Sequence, residues 1–167
     1  MPGAVRHDRW MERRVDPTDP EGRAALDGLY TALSALAYTM TGNRAHSRLR
    51  REAGVSVDRA SLAVLRVLAA SPEPLRMGEL AEALLVNAPH VTREVRRLED
   101  SGLVATTREP GDQRARRARA TGEGREAVAR AEATGKRWLG EALGEFSPEE
   151  LETAAAVINR IVAVLRP

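Results

Sequence analysis

The fold is decided by residues 76–121, RMGELAEALLVNAPHVTREVRRLEDSGLVATTREPGDQRARRARAT. The segment opens with a short apolar pattern, Leu80–Leu84, that predicts a short helix. A second helix is predicted from Asn87, a residue type that caps helix N-termini, with Pro89 in the first turn, where a missing N–H is tolerated. Gly102 marks its end, because helices commonly finish at a left-handed residue. Two short helices joined by a tight turn predict a helix-turn-helix.

A basic hairpin follows the second helix. Residues 103–108 predict a strand, residues 110–112 (Pro-Gly-Asp) a turn, and residues 116–121 a weaker return strand. The return strand is rich in arginine and alanine, which suit a sheet poorly, so its prediction depends on the hairpin context. A helix-turn-helix that carries a hairpin is a winged helix-turn-helix. We therefore predict a mainly α fold with a small β-hairpin wing.

The second helix carries residues suited to reading DNA. The second helix of a helix-turn-helix enters the major groove, and Val91, Val95 and Leu98 are spaced to bury its opposite side. Arginine chelates guanine O6 and N7, threonine contacts the thymine methyl group, and histidine reaches a base or a phosphate. The predicted DNA contacts on this helix are Ala88, Pro89, His90, Thr92, Arg93, Arg96 and Arg97. An alternative stays open, in which Arg96 or Arg97 pairs with an acidic residue of the same helix.

The hairpin concentrates positive charge. Its arginines are Arg108, Arg114, Arg116, Arg117 and Arg119. A narrow minor groove attracts inserted arginine through its enhanced negative potential, so we predict that Arg114, near the tip, enters it. Arg116 is included among the predicted DNA contacts. The competing interpretation is a solvated charged face, since nearly all the basic residues of this chain are arginine.

Apolar residues recur at steps of three and four on both sides of this segment. The first series is Leu26, Leu29, Leu33, Leu36 and Met40. The second series is Leu151, Ala155, Ile158, Val162 and Leu165. Such spacing is typical of a helix that packs against another helix. The spacing leaves open whether the partner helix belongs to the same chain.

The ends of these flanking helices have local signals. The N-terminal helix is predicted to run from after Pro20 to about Arg51, stopping before Gly54. Ser56 is the predicted N-cap of the following helix. Residues 147–150, Ser-Pro-Glu-Glu, have the form of a capping box with proline at the first helical position, which predicts the start of the last helix.

Composition excludes several classes of protein. The 167 residues contain no cysteine, which excludes disulfides, thiolate catalysis and a thiol redox switch within the chain. No apolar stretch approaches the ~20 residues of a membrane span, and no signal-peptide core is present, which predicts a cytoplasmic protein. His7, His46 and His90 are far apart, and no nucleophile–base pair or phosphate loop occurs. We therefore expect no enzyme, no metal site and no cofactor.

The winged segment resembles the MarR family of bacterial regulators. The matching residues are Glu79-Leu80-Ala81, the run VTREVRRLEDSGLV from Val91 to Val104, Asp112-Gln113-Arg114, and Ala120-Thr121-Gly122-Glu123-Gly124. The resemblance extends over residues 26–165, most of the chain. Two positions depart from the family pattern. Residues 88–90 (Ala-Pro-His) stand where small Ser or Thr residues are common, and Ala120 stands where leucine is usual.

The resemblance implies a homodimer with intertwined terminal helices. Its two winged domains would bind a pseudo-palindromic operator in double-stranded DNA, with half-sites about 10 bp apart. The resemblance places Arg114 in the minor groove and implies that Asp112 supports the wing. It assigns dimerisation to Leu26, Leu29, Leu33, Leu36, Leu151, Ile158, Val162 and Leu165. The chain then divides into a flexible arm (1–20), a dimerisation helix (21–54), the winged helix-turn-helix domain (55–122) and C-terminal dimerisation helices (123–167).

The resemblance also implies release from DNA by a small aromatic ligand, as in many family members. The ligand pocket would be lined by Tyr30, Tyr38, His46 and Trp138, with core packing as the alternative for each. We predict a sequence-specific DNA-binding transcription regulator that acts as a dimeric repressor. The alternative is a winged-helix adaptor that binds proteins and has no specific DNA site.

Overall fold

The computed structural model describes residues 16, 18–109 and 112–165, and for residues 109 and 112–115 it describes the backbone alone. The arm predicted over residues 1–20 lies largely outside the described residues, as do residues 110–111 of the predicted turn. The helices of the described part are α1 (Pro20–Thr41), α2 (Asn43–Ala53), α3 (Arg59–Ala70), α4 (Met77–Leu84), α5 (Ala88–Asp100), α6 (Gly122–Ala142) and α7 (Pro148–Leu165). The strands are β1 (Leu75–Arg76), β2 (Val104–Glu109) and β3 (Asp112–Ala120). The chain divides into two compact units between Ala45 and His46.

The first unit contains α1. Asp19 is the N-cap of this helix, and its side chain accepts a hydrogen bond from the N–H of Gly22 at 3.2 Å. None of the described residues 20–41 is buried, so the predicted apolar series lies on an exposed face. The helix therefore has the apolar spacing of a packed helix, but its apolar side chains are exposed and available for contact with another surface.

The prediction of one helix reaching Arg51 is wrong. The first helix ends at Thr41, and α2 begins at Asn43. Gly42 separates them in an extended conformation (φ −67°, ψ 140°), and its N–H donates to the carbonyl of Thr39 at 3.2 Å. Glycine is about 1 kcal/mol less favourable than alanine inside a helix, so a break is favoured there.

The core of the second unit is built around α3, which packs against α4, α5 and α6. The largest fully buried side chains are Leu65, Leu80, Val91 and Leu98. Small residues of α6 complete the core, among them Ala127 and Ala131. Burial of each leucine contributes about 1.5–3 kcal/mol. The winged segment is therefore held by aliphatic packing, as expected from a chain with only 3% aromatic residues.

The start of α3 differs from its prediction. Asp58 is the N-cap, and its side chain accepts a hydrogen bond from the N–H of Ser61 at 2.9 Å. That bond is the main reason why the pKa of Asp58 lies below its usual value. The prediction of Ser56 as the cap is wrong, and its carbonyl instead accepts a bond from Arg50 Nη2 at 2.9 Å. Both residue types suit a cap, but the charge of aspartate also interacts favourably with the helix dipole.

The sheet has three antiparallel strands in the order β1–β3–β2. The predicted hairpin is confirmed, although β3 begins at Asp112 rather than at Arg116. The short β1 pairs Leu75 with Ala118 and was not predicted, because two residues carry no periodic signal. Ala118 and Ala120 are buried, so the small side chains of β3 face the core. This arrangement explains how an alanine-rich strand can serve in the wing.

The base of the wing is fastened to α6. Its N-cap Thr121 donates through Oγ1 to the carbonyl of Gly102 at 2.8 Å and accepts from the N–H of Gly124 at 3.0 Å. The N–H of Thr121 donates to the carbonyl of Leu103 at 3.0 Å. Gly124 lies so near that a Cβ added to it would be 2.1 Å from the Leu103 carbonyl oxygen. The start of α6 therefore leaves no room for a side chain at residue 124.

The capping box predicted for α7 is confirmed. The N–H of Ser147 donates to Glu150 Oε2 at 2.8 Å, and the N–H of Glu150 donates to Ser147 Oγ at 3.3 Å. None of the described residues 148–165 is buried. Its exposed apolar side chains include Leu151, Ile158, Val162 and Leu165. Among the described helices, none combines the length and apolar character that crossing a bilayer requires.

Candidate nucleic-acid interface

Helix α5 is fixed to the core along one side. It begins where predicted, with the side chain of Asn87 accepting a hydrogen bond from the N–H of His90 at 3.1 Å. It ends before Gly102, which has the expected left-handed conformation (φ 73°). The stripe predicted to be buried is confirmed at Val91, Val95 and Leu98. The opposite side of the helix is therefore held out from the core at a fixed orientation.

The turn between α4 and α5 passes through a left-handed leucine. Leu85 has φ 54° and ψ 42°, a conformation that costs an L-residue about 1–2 kcal/mol. Its side chain is 66% exposed, so packing offsets little of this strain. Its N–H donates to the carbonyl of Glu82 at 3.1 Å, and the N–H of Val86 donates to that of Ala81 at 3.0 Å. These bonds end α4 and set the direction in which the chain enters α5.

The exposed face of α5 brings the predicted DNA contacts together. A shallow depression on this face is lined by Ala88, Pro89, Thr92, Arg93, Arg96, Arg97 and Asp100. His90 lies beside it, with Nδ1 2.9 Å from Arg93 Nη2. A guanidinium group only donates, so the imidazole nitrogen accepts this bond. The residues predicted on this helix therefore lie on or beside one face.

The three arginines of this face have different surroundings. Arg97 Nη1 lies 3.4 Å from Asp58 Oδ2 and 3.7 Å from Glu94 Oε1. Arg93 Nε lies 3.8 Å from the same Glu94 oxygen. Arg96 is exposed and makes no ion pair with any described residue. The pairing within the helix that the sequence left open is therefore found for Arg97.

Glu94 is a functional candidate that the sequence analysis missed. The residue is only 3% exposed, although it carries a carboxylate. Its Oε2 accepts a hydrogen bond from the hydroxyl of Ser61 at 3.0 Å, which joins α5 to α3. The signal was present in the spacing, because position 94 follows Val91 by three residues and precedes Leu98 by four, as a buried position would.

The register of the wing places like charges opposite each other. Arg108 of β2 pairs with Arg116 of β3. Arg116 Nη1 also lies 3.8 Å from Glu99 Oε2, and the hydroxyl of Thr106 donates to the other oxygen of that carboxylate. Glu99 belongs to α5 and therefore links this helix to the wing. The charge of Arg108 has no such partner among the described residues.

Of the remaining arginines of the wing, one contacts the segment before β1 and another is exposed to solvent. Arg117 Nη1 donates to the carbonyl of Pro74 at 3.1 Å, which holds the third strand to the hairpin. Arg119 is exposed on the sheet. The side chains of Asp112 and Arg114 lie outside the described residues, so the roles assigned to them stay predictions.

The four residues predicted to line a ligand pocket have different surroundings. Tyr30 and Tyr38 are 75% and 84% exposed on α1, so the alternative of core packing does not apply to them. In the second unit, His46 Nε2 lies 3.3 Å from the carbonyl oxygen of Val57, and Trp138 is half-buried. Within the described ranges, no group of three His, Asp or Glu side chains is placed to hold a metal ion. The ligand pocket stays a prediction.

Trp138 belongs to a polar cluster centred on Glu52. That carboxylate accepts hydrogen bonds from Arg48 Nε at 2.7 Å, Arg137 Nη2 at 2.8 Å and Trp138 Nε1 at 2.8 Å. These hydrogen bonds, of which the one from Arg48 has the largest effect, lower the pKa of Glu52 to about 2. The guanidinium carbon of Arg48 also lies 4.6 Å from the centre of the Trp138 ring. The cluster therefore ties the second half of α2 to α6.

In the comparison with protein families, the model described as the MarR family matches residues 55–115. That range covers α3 to the first part of β3 and includes all of α5. A curated relative is the uncharacterised HTH-type transcriptional regulator YdgJ of Bacillus subtilis (strain 168). It is 27% identical over 124 residues, which are 74% of this chain and 75% of that protein.

Solved structures share the fold. The MarR family transcriptional regulator Sco3205 from Streptomyces coelicolor, solved in complex with DNA, is 27% identical with a TM-score of 0.65, over 86% of this chain and 93% of that one. A MarR family protein from Bacillus stearothermophilus is 19% identical with a TM-score of 0.71, over 87% of this chain and 98% of that one. The similarity therefore extends well beyond the matched segment to the flanking helices.

Proposed function

We propose that the chain is a transcription regulator of the MarR family and that it represses transcription as a homodimer bound to a pseudo-palindromic operator. The observation that carries the DNA-binding part is the exposed face of α5, where Thr92, Arg93 and Arg96 line one surface. The opposite side of that helix is buried, so these side chains project from a rigid element. The DNA complex of Sco3205 supports the same use of the fold.

Dimerisation is proposed through α1 and α7. Each helix presents an apolar series of which no described residue is buried within the chain. Contiguous exposed apolar residues on a protein surface mark an interaction site. The residues proposed for this contact are Leu26, Leu29, Leu33, Leu36, Leu151, Ile158, Val162 and Leu165. In this division of the chain, residues 21–54 and 123–167 serve dimerisation and residues 55–122 bind DNA.

A two-fold symmetric dimer would present two copies of α5 and two wings. Half-sites about 10 bp apart would place each α5 in a major groove on one side of the duplex. Arg114 and Arg116 of each wing would then approach the neighbouring minor groove, with Asp112 supporting the hairpin. Support for this part comes from the arginine content of β3 and from the family.

Selection of bound duplexes from a random library, with the full chain, tests the DNA-binding proposal. An enriched motif with two-fold symmetry is expected, and its affinity should fall steeply as salt increases. Arg96→Ala should relax base preference at one position of each half-site, by about 1–3 kcal/mol. Arg130→Ala removes an exposed arginine of α6 that forms no ion pair with a described residue, and it should leave the preference unchanged. Failure to enrich any motif would favour the adaptor alternative.

The wing and the dimer have separate tests. Arg114→Ala should weaken binding to all duplexes alike and reduce the salt slope by about 1.

Ile158→Glu should convert the dimer to a monomer in sedimentation equilibrium, because a charge would be buried in the interface. Arg160→Glu, on the same helix at an exposed position, is the matched control. A protein that remains dimeric with Ile158→Glu would contradict the role of α7.

We also propose release from DNA by a small aromatic ligand bound near Tyr30, Tyr38, His46 and Trp138. The support is the family alone. A panel of substituted benzoates and phenols, tested for release of the selected duplex, would identify such a compound. A responsive compound should also change the fluorescence of Trp138. If no member of the panel releases the duplex, the ligand proposal fails and the DNA-binding proposal is unaffected.

A further inference from the structure

Glu94 places a carboxylate on the buried side of α5, among aliphatic residues. It is 3% exposed, and a buried carboxylate is strongly unfavourable unless it is hydrogen-bonded or paired. The hydroxyl of Ser61, itself buried on α3, donates to its Oε2 at 3.0 Å. A leucine or valine would fill this position without needing such a partner. The presence of an acid at this point therefore calls for a role beyond packing.

The other oxygen of Glu94 faces the arginines of the exposed surface. It lies 3.8 Å from Arg93 Nε and 3.7 Å from Arg97 Nη1. Arg97 is also 3.4 Å from Asp58, the N-cap of α3. Two arginines thus lie within 4 Å of carboxylates of the protein itself, whereas Arg96 has no ion pair with a described residue.

We propose that Glu94 is a positioning residue that sets the DNA specificity of α5. It restrains Arg93 and Arg97 on the exposed face and leaves Arg96 as the arginine that is freest to reach a base. This inference rests on the DNA-binding function proposed above. Affinity for any DNA sequence comes from cations that displace counterions from phosphates, and an arginine held by a carboxylate contributes less of it. Glu94 therefore lowers affinity for non-operator DNA more than affinity for the operator.

The variant Glu94→Gln tests this role, with Asp100→Asn as the control. Glutamine keeps an acceptor for Ser61 and loses the charge that holds the arginines. Asp100 lines the same face and has no ion pair with a described residue, so Asp100→Asn makes the same change in net charge without releasing an arginine. Both proteins are titrated with the selected operator and with a scrambled duplex between 50 and 200 mM salt, concentrations at which the Debye length is on the order of 10 Å.

Glu94→Gln is expected to steepen the salt slope on the scrambled duplex by about 0.9 for each arginine released. At 0.1 M salt, one such contact corresponds to roughly an eightfold gain in non-operator affinity. Operator affinity should rise less, so the ratio of the two falls. Asp100→Asn should shift both affinities by one small common factor. Equal effects of the two substitutions, or no change with Glu94→Gln, would overturn the proposal.

A second variant and a second measurement keep the test independent of folding and of the operator. Glu94→Leu restores an aliphatic stripe and should give the same loss of discrimination if Glu94→Gln is unstable. Relaxation of the arginine Nε signals in the free protein should show Arg93, whose Nε faces Glu94, becoming more mobile with either substitution. Unchanged mobility would overturn the proposal even if the wild-type protein bound no duplex, a result that by itself would refute only the proposed function.

Discussion

Replacing Gly124 with alanine is expected to destabilise the second unit and to displace the base of the wing. The added Cβ would lie 2.1 Å from the carbonyl oxygen of Leu103 and 3.2 Å from Leu65 Cδ2. An ordinary C···O contact is about 3.3–3.6 Å, so the start of α6 would have to withdraw by roughly 1 Å. Withdrawal would also lengthen the two bonds that Thr121 makes with this loop and with Gly124.

The size of the effect follows from two opposing contributions. Forced overpacking typically costs about 1–3 kcal/mol, and here the obstructing atom is backbone that cannot rotate away. Alanine in place of glycine in a helix gains about 0.5–1 kcal/mol, and less in a first turn. We therefore expect Gly124→Ala to lower the free energy of unfolding by about 1–2 kcal/mol. The same helix provides a control at Gly135, where a Cβ would meet nothing within 4 Å.

Urea denaturation followed by circular dichroism measures both variants against the wild type, at one protein concentration because the stability of the proposed dimer would depend on it. Gly135→Ala should be as stable as the wild type or more stable by up to about 1 kcal/mol. In thermal unfolding followed by the same signal, the melting temperatures of the two variants should differ by roughly 5–10 °C. Gly124→Ala should also bind the selected duplex more weakly. If Gly124→Ala matched Gly135→Ala in stability, the close approach of α6 to Leu103 would be refuted.

Three further predictions concern single side chains. Leu85→Gly should raise the free energy of unfolding by up to about 1 kcal/mol, because it relieves the left-handed strain, whereas Leu85→Ala should not. Asn87→Ala should lower it by about 1 kcal/mol and speed hydrogen exchange in the first turn of α5; unchanged exchange would argue against the cap. Glu52 has a pKa lowered to about 2, so its stabilising contribution is complete above its usual value near 4.5 and is lost as the pH falls towards 2. Fluorescence of Trp138, in a Trp10→Phe background, should report this loss, and Glu52→Gln should abolish it.

Local signals were sufficient to predict the bounds of α5. Asn87, Pro89 and Gly102 each impose a backbone requirement that the neighbouring sequence meets, so the start and end of α5 agree with prediction. The buried stripe follows from the helical period alone. The hairpin followed from its turn residues, and the capping box at residues 147–150 defined the start of α7. In each case the decisive interactions lie within about four residues of one another.

Interactions between distant residues could not be read in the same way. Glu94 is accommodated in the core by Ser61, 33 residues earlier in the chain, and nothing in the local sequence announces that partner. The two-residue β1 exists because Leu75 pairs with Ala118. The choice of Asp58 over Ser56 as the cap of α3 involves Arg97, 39 residues away. The break at Gly42 was a local signal that the regular leucine spacing concealed.

Arg108 pairs with Arg116 across the hairpin. Formation of the wing therefore brings two positive charges together, which costs electrostatic free energy. Like charges directly opposite each other weaken an antiparallel pair, and only Arg116 has a nearby carboxylate among the described residues. An anion that lies along the hairpin removes this repulsion, so anion binding and strand pairing strengthen each other by the same free energy. Phosphate or sulfate in a buffer is therefore expected to stabilise the hairpin more than chloride does. Measurements of stability or of DNA affinity made in phosphate and in chloride should not be treated as interchangeable.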